Sequence, residues 1–251
     1  MHILLTNDDG AGSSWLAMLS EAAAARGHRV TVSAPNAQQS AKSHAFTLFT
    51  PMMARQVSIP GAEEAWAVDG TPVDSCRIGM RGLCETLPDL VISGINYGWN
   101  TGLAVYVSGT VGAAREAAFQ HVPALAVSAE PGTPDETIRR FADYAIRLGE
   151  KLADYPMPEL TLVNVNVPKA DAGQVKGAVM CPLSRNVYQD SYERRVSPRG
   201  DTYFWLTAEV PDECPTPESD KDYLRRGYIS VTFLGPDGIE QKKYSDFPIE
   251  W

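Results

Sequence analysis

The stretch "MHILLTNDDG AGSSWLAMLS EAAAARGHRV TVSAP" (1–35) decides the fold. "HILLT" (2–6) is an apolar run too short for a helix and bounded by "NDDG", so it reads as a buried strand. Trp15, Leu16, Leu19, Ala22 and Ala23 then recur at helical spacing, and Gly27 supplies a C-terminal stop. "HRVTVSAP" (28–35) follows as a second strand ended by Pro35. Strand, helix and strand in so short a span form a βαβ unit, with parallel pairing and a right-handed crossover.

The same alternation continues downstream. "LPDLVIS" (87–93) is a strand entering the loop "GINYGWNTG" (94–102), "GTVGAAREAAFQ" (109–120) is a helix, and "VPALAVS" (122–128) is a strand. "TPDETIRRFADYAIRLGEKLA" (133–153) reads as an amphipathic helix, with Thr133 as N-cap and Glu136 three residues on. "LTLVNVNVP" (160–168) closes the series as a further strand. The pattern predicts a doubly wound α/β fold with a mostly parallel sheet.

After Pro168 the texture changes to short β-like runs, "GAVMC" and "TYFWLTAEV", followed by the acidic, Pro-rich "PDECPTPESD" (211–220). "KDYLRRG" then reads as a short helix and "YISVTFL" (228–234) as a strand. We expect an α/β core over 1–170. A β-rich extension over 171–251 would belong to the same fold unit and include an arm that reaches a neighbouring subunit.

Of the 251 residues, 22 are Lys or Arg and 31 are Asp or Glu, a formal charge of −9. That balance argues against a nucleic-acid polymer as partner, because such surfaces neutralise many phosphates with basic side chains. A small anion would need a local positive site. The four cysteines, Cys76, Cys84, Cys181 and Cys214, form no CxxC pair, so reduced and largely buried thiols are expected. With neither a secretory pattern at residues 1–6 nor a bilayer-length apolar stretch, the expected localisation is cytoplasmic, without a membrane partner.

In an open α/β sheet, ligands bind outside the carboxyl ends of the strands. Asn7, Asp8 and Asp9 follow the first strand, Gln39 and Ser40 the second, and Asn96 follows "LVIS". Two carboxylates, a hydroxyl and an amide oxygen are hard ligands suited to Mg²⁺, Mn²⁺ or Ca²⁺ rather than zinc. Successive strand residues face opposite sides, so Asp8 and Asp9 share one ion only if the chain turns there, and Gly10 eases that turn. Alone, "NDDG" is better read as an Asx-type turn with two solvated carboxylates; convergence with Ser40 and Asn96 favours the cation. Asn96 and Asn100 lie among the glycines of "GINYGWNTG", which otherwise reads as a surface loop. Ser108, Gly109 and Thr110 open a helix, where free N–H groups favour an anion and where hydroxyls also serve as ordinary caps. The four histidines form no ligand pair at helical spacing. The tryptophans read as packing residues. Neither a GxSxG elbow nor a Walker motif is present, and the first turn lacks the GxGxxG of a dinucleotide oxidoreductase.

Taken in order, "ILLTNDDG", "SAPNAQQSAKSHAFTL", "VDGTPVDSC", "VISGINYGWNTG", "SGTVGAAREA", "SPRGDTYFWL" and "GYISVTFL" resemble the successive blocks of the SurE family of nucleotidases. The resemblance covers almost the whole chain. It implies a Rossmann-like core, one divalent metal ion per subunit (Mg²⁺ or Mn²⁺) and hydrolysis of nucleoside 5′- or 3′-monophosphates. It also implies a homodimer or homotetramer built through exchanged C-terminal segments. By motif position the metal ligands are Asp8, Asp9, Ser40 and Asn96. Asp8 and Asn96 would also act in catalysis, and Asn100, Ser108, Gly109 and Thr110 would line the phosphate site. Three places depart from the family pattern. Ala41 replaces the glycine of QSG, Val107 the tyrosine before SGT, and "AGSSW" (11–15) the segment that commonly carries Pro-Gly. Asp8 would orient or deprotonate the attacking water, or would itself be the nucleophile. Ala41 and Val107 keep open a non-catalytic, metal-dependent nucleotide sensor.

Overall fold

Along the first strand, β1 (His2–Thr6), the period-two alternation sends Ile3 and Leu5 into the apolar layer on one face of the sheet and Leu4 into the layer on the other. All three are fully buried, so β1 needs cover on both sides, as strands of parallel sheets do. α1 (Ser14–Ala25) supplies it on one face; its Ser13 cap accepts the Leu16 N–H. The helix stops where Gly27 takes a left-handed φ of +82°, and β2 (Arg29–Pro35) then pairs parallel to β1.

The remaining elements follow in chain order as β3 (Ala54–Val57), β4 (Glu64–Val68), α2 (Pro72–Ile78), β5 (Leu90–Tyr97), α3 (Ala104–Val107), α4 (Gly109–Phe119), β6 (Ala124–Ala129), α5 (Asp135–Asp154) and β7 (Leu162–Val167). Beyond them come β8 (Ala178–Met180), β9 (Tyr192–Val196), β10 (Thr202–Leu206), α6 (Asp220–Arg225), β11 (Ile229–Gly235) and β12 (Gly238–Ile239). The computed structural model describes residues 1–185, 191–207, 216–236, 238, 239, 248 and 249. Cys214, Trp251 and the first half of the acidic stretch 211–220 lie outside them.

The main sheet runs β12-β11-β7-β6-β5-β1-β2-β4-β3, with β8 against β11. From β7 to β4 every pairing is parallel, and β3 and β11 flank that block antiparallel. The fold is therefore the expected doubly wound α/β type. The chain grows outward from β1 through β2 and β4, then returns to β5 on the other side and grows through β6 and β7. The carboxyl ends of β1 and β5 thus flank the topological switch point, where this architecture leaves a crevice. α1 and α5 cover one face with Leu16, Leu19, Phe141, Tyr144 and Leu148. The other is covered by α2 and the Ala-rich α4 with Cys76, Val111, Ala114 and Ala117.

Three local expectations fail. Thr133 does not cap α5; its hydroxyl donates to Glu130 O at 2.7 Å, and the helix begins after Pro134 without a side-chain cap. The first four residues of "GINYGWNTG" belong to β5, which continues to Tyr97 because a register shift against β6 between Ser93 and Asn96 lets pairing resume. Trp205 is exposed rather than packed. Cys76, Cys84 and Cys181 are free, and Cys76 and Cys181 are buried.

Candidate active site

The turn after β1 is made by Asn7, not by the two aspartates. Its Oδ1 accepts the Gly10 N–H at 3.1 Å, its Nδ2 donates to Gly10 O at 3.0 Å, and the side chain is fully buried. The two aspartate carboxylates take no part in closing the turn and are bonded to two different elements. Asp8 Oδ1 accepts the Thr110 hydroxyl from the first turn of α4. Asp9 Oδ2 accepts the Tyr97 N–H at the end of β5, at 2.9 Å.

Asp8 is only 4% exposed. Burial drives its pKa upward, the Thr110 hydroxyl and backbone N–H oppose the rise, and neighbouring Asp9 adds to it; the carboxyl ends at about 6. Burial also raises Asp9, against the Tyr97 N–H. These are not the solvated carboxylates of a surface turn. Two partly desolvated like charges side by side call for a compensating cation.

The expected partners are distributed around this pair. Asn96 donates Nδ2 to Gly98 O at 2.6 Å, which orients the amide. Among the described residues its Oδ1 accepts no hydrogen bond. Ser40 is exposed and belongs to the segment anchored when Gln39 N–H donates to Asp8 O at 2.7 Å. Ser108 caps α4, accepting the Val111 N–H at 3.1 Å, and its own hydroxyl hydrogen remains for a ligand. Gly109 packs directly under Asp8, where a Cβ would lie 3.1 Å from Asp8 Oδ2 and 2.9 Å from Pro72 Cγ. Thr110 is fully buried with its hydroxyl committed to Asp8, so it positions that carboxylate instead of presenting the hydroxyl to an anion. Asn100 is buried: its N–H donates to Asn166 Oδ1 and its Nδ2 to Ser128 Oγ, at 2.8 and 2.9 Å.

Several residues of this edge escaped the sequence reading. Asn164 and Asn166 both donate to Asn100 O, fixing the glycine loop to β7; two asparagines at i and i+2 in an otherwise apolar strand were the available signal. Buried Asp220 accepts the N–H groups of Gly102, Ser184 and Lys221, tying the same loop to the C-terminal third. Asp74 accepts from Thr47 N and Oγ1 and from Thr71 N, and completes a capping box with Thr71.

The donor set fits a hard divalent ion. Among the described residues no group of three His, Cys, Asp or Glu converges as a metal site. An ion held by Asp8 and Asp9 would therefore fill its shell from hydroxyl, amide and water oxygens, as Mg²⁺ commonly does.

Fold and site together define a doubly wound α/β protein with an acidic, oxygen-donor crevice at its switch point, beside a helix N-terminus. The family model described as survival protein SurE matches residues 3–190, and the chain belongs to that family. It is 41% identical over 240 residues to the 5′-nucleotidase SurE of Synechococcus sp. (strain JA-3-3Ab), covering 94% of this chain and 92% of the relative. With the 5′-nucleotidase SurE of Nostoc sp. it shares 37% identity over 265 residues, covering 99% and 100% of the two chains. The crystal structure of the SurE protein from Aquifex aeolicus superposes with a TM-score of 0.79 at 31% identity, covering 98% of this chain and 97% of that one.

Proposed function

We propose that this protein is a divalent-metal-dependent phosphatase that hydrolyses nucleoside 5′- and 3′-monophosphates to nucleoside and phosphate. The carrying observation is the buried Asp8, held between α4 and Asp9 at the switch point, in a chain whose relatives bear the name 5′-nucleotidase. Asp8, Asp9, Ser40 and Asn96 would hold Mg²⁺ or Mn²⁺. When bound, the ion supplies phosphate-charge neutralisation and a more acidic water.

The chain's own groups do the rest. The Gly109 N–H, the Ser108 hydroxyl and the positive end of α4 favour the phosphoryl oxygens and the charge that grows on them as the ester bond breaks. Asn100, braced by Asn166 of β7 and Ser128 of β6, would line that crevice beside them. Asp8, whose environment strengthens its hold on a proton, orients the attacking water and accepts its proton. Thr110 keeps the Asp8 carboxylate in place for that task.

Nothing in the site favours a non-catalytic sensor. The exposed Val107 gives the neighbouring segment its backbone carbonyl, which any residue would provide, and Ala41 changes a backbone preference without removing a ligand. Among the described residues no helix is long and apolar enough to cross a membrane. The free cysteines support a reducing compartment, and we infer a cytoplasmic setting. A homodimer or homotetramer is supported by the β9–β10 hairpin, which among the described residues pairs only with itself and exposes Tyr192, Val196, Tyr203, Phe204, Trp205 and Leu206. Release of inorganic phosphate from a panel of nucleoside monophosphates, with Mg²⁺ or Mn²⁺ and again after EDTA, tests the proposal. Metal-dependent release is expected, and metal-independent hydrolysis would overturn it.

A further inference from the structure

Residues 39–47 form a strap that starts at the carboxylate pair and crosses α4 to α2. At its start the Gln39 N–H donates to Asp8 O. In the middle, Ser43 donates its N–H to Val107 O at 2.9 Å and its hydroxyl to Tyr106 O at 2.6 Å. A Cβ at Gly112 would fall 2.2 Å from Ser43 O, so only glycine admits the strap this close to α4. At residue 116, four positions further along the same helix face, buried Glu116 takes His44 Nε2 at 2.9 Å, Arg77 Nη1 at 3.0 Å and Gln120 Nε2 at 2.8 Å. Burial alone would raise the Glu116 pKa, but these three partners outweigh it and hold the carboxylate ionised below its usual range. The strap ends at α2, where Asp74 takes both the N–H and the hydroxyl of Thr47.

The helix that receives the strap also binds Asp8, through Thr110 in its first turn. α4 thus sets two parts of the crevice in one register, Asp8 directly and Ser40 through the strap. Ser40 makes no hydrogen bond among the described residues, so its placement depends on its neighbours. Ala41 and Ser43 take left-handed φ values of +59° and +54°, a conformation that persists only where surrounding contacts enforce it.

We propose that the His44–Glu116 contact is a positioning device that holds Ser40 against Asp8 and Asp9. Both residues then govern the affinity for the divalent ion without touching it. The inference rests on the reading that Ser40 is one of the ligands. His44 is the cleaner probe, because Glu116 also ties α2 to α4 through Arg77.

The test is Mn²⁺ binding to the metal-stripped full chain, followed by the electron paramagnetic resonance of the free ion. His44→Ala should weaken binding about tenfold, the low end of what loss of a ligand-orienting partner costs. His44→Gln should restore it, because its amide can still donate to Glu116. Ser40→Ala should also weaken binding, and the double variant Ser40→Ala/His44→Ala should bind no worse than Ser40→Ala alone. Wild-type affinity in His44→Ala beside a weakened Ser40→Ala would overturn the positioning role and leave the ligand reading intact; so would additive losses in the double variant. Wild-type affinity in Ser40→Ala would remove the ligand reading and the inference with it.

Discussion

Asp8 carries a conflict between stability and chemistry. Its folded-state pKa of about 6 stands above the ordinary 3.8, so the folded protein prefers the protonated carboxyl. That contribution is complete below about pH 4 and is lost as the pH rises through 6, leaving ionised Asp8 to cost up to about 3 kcal/mol at neutral pH. Asp8→Asn keeps an acceptor for Thr110 and removes the charge. The metal-free variant should therefore melt above the wild type at about pH 7.5, with the difference shrinking towards about pH 4.5. Thermal unfolding followed by circular dichroism checks this, and a difference that ignores pH would contradict it. Ala41 presents a separate cost. A Cβ residue at φ +59° pays about 1–2 kcal/mol that glycine avoids. Ala41→Gly should raise stability by about 1 kcal/mol, part of the gain being offset by the greater freedom of glycine in the unfolded chain. Urea unfolding at fixed metal content reads that change directly.

Elements differed sharply in how far the sequence revealed them. β1, α1 and β2 were legible because continuous apolar runs and a helical repeat are bounded by Asn, Gly and Pro. α5 was legible by its amphipathic period, although its cap was not, since Thr133 turns back to Glu130. β3, β4 and α2 went unread. β3 is four residues at the sheet edge and mostly exposed, and α2 buries Asp74 and Ser75 where a helical pattern calls for apolar residues. The signals there were chemical rather than periodic: Thr71 and Asp74 at capping-box spacing, with Pro72 at the first helical position. The burial of Asp8 was not legible from "NDDG" alone, which reads as a solvated turn; only the expected convergence with Ser40 and Asn96 pointed away from that turn. The strap was not legible either, because its hold on α4 depends on long-range contacts of Gly112 and Glu116. The β9–β10 hairpin is the element with the least support of its own. Every residue of both strands is exposed, and an isolated two-stranded hairpin is marginal in water. Trp205→Glu should therefore lower the subunit count by light scattering without disturbing the sheet core. An unchanged assembly would contradict a role for this hairpin in it.

For the molecule as a whole, the order of the strands decides where chemistry can occur. Placing β5 beside β1 brings residues 8, 9 and 96 to one edge although nearly ninety positions separate them, and the first turn of α4 packs against the same edge. Asp220 at the start of α6 and the Asn164–Asn166 pair of β7 both hold the glycine loop, so through Asp220 the C-terminal third braces this edge as well as carrying the hairpin. The chemistry proposed for this edge is the hydrolysis of nucleoside monophosphates with the help of a divalent ion. The most direct measurement is phosphate release by wild type and by Asp8→Asn across a nucleotide panel, with Mg²⁺ or Mn²⁺, after EDTA, and after the metal is restored. Turnover by the wild type that EDTA abolishes and metal restores is expected, and none by a folded Asp8→Asn. Hydrolysis that persists in EDTA, or full activity in Asp8→Asn, would contradict it.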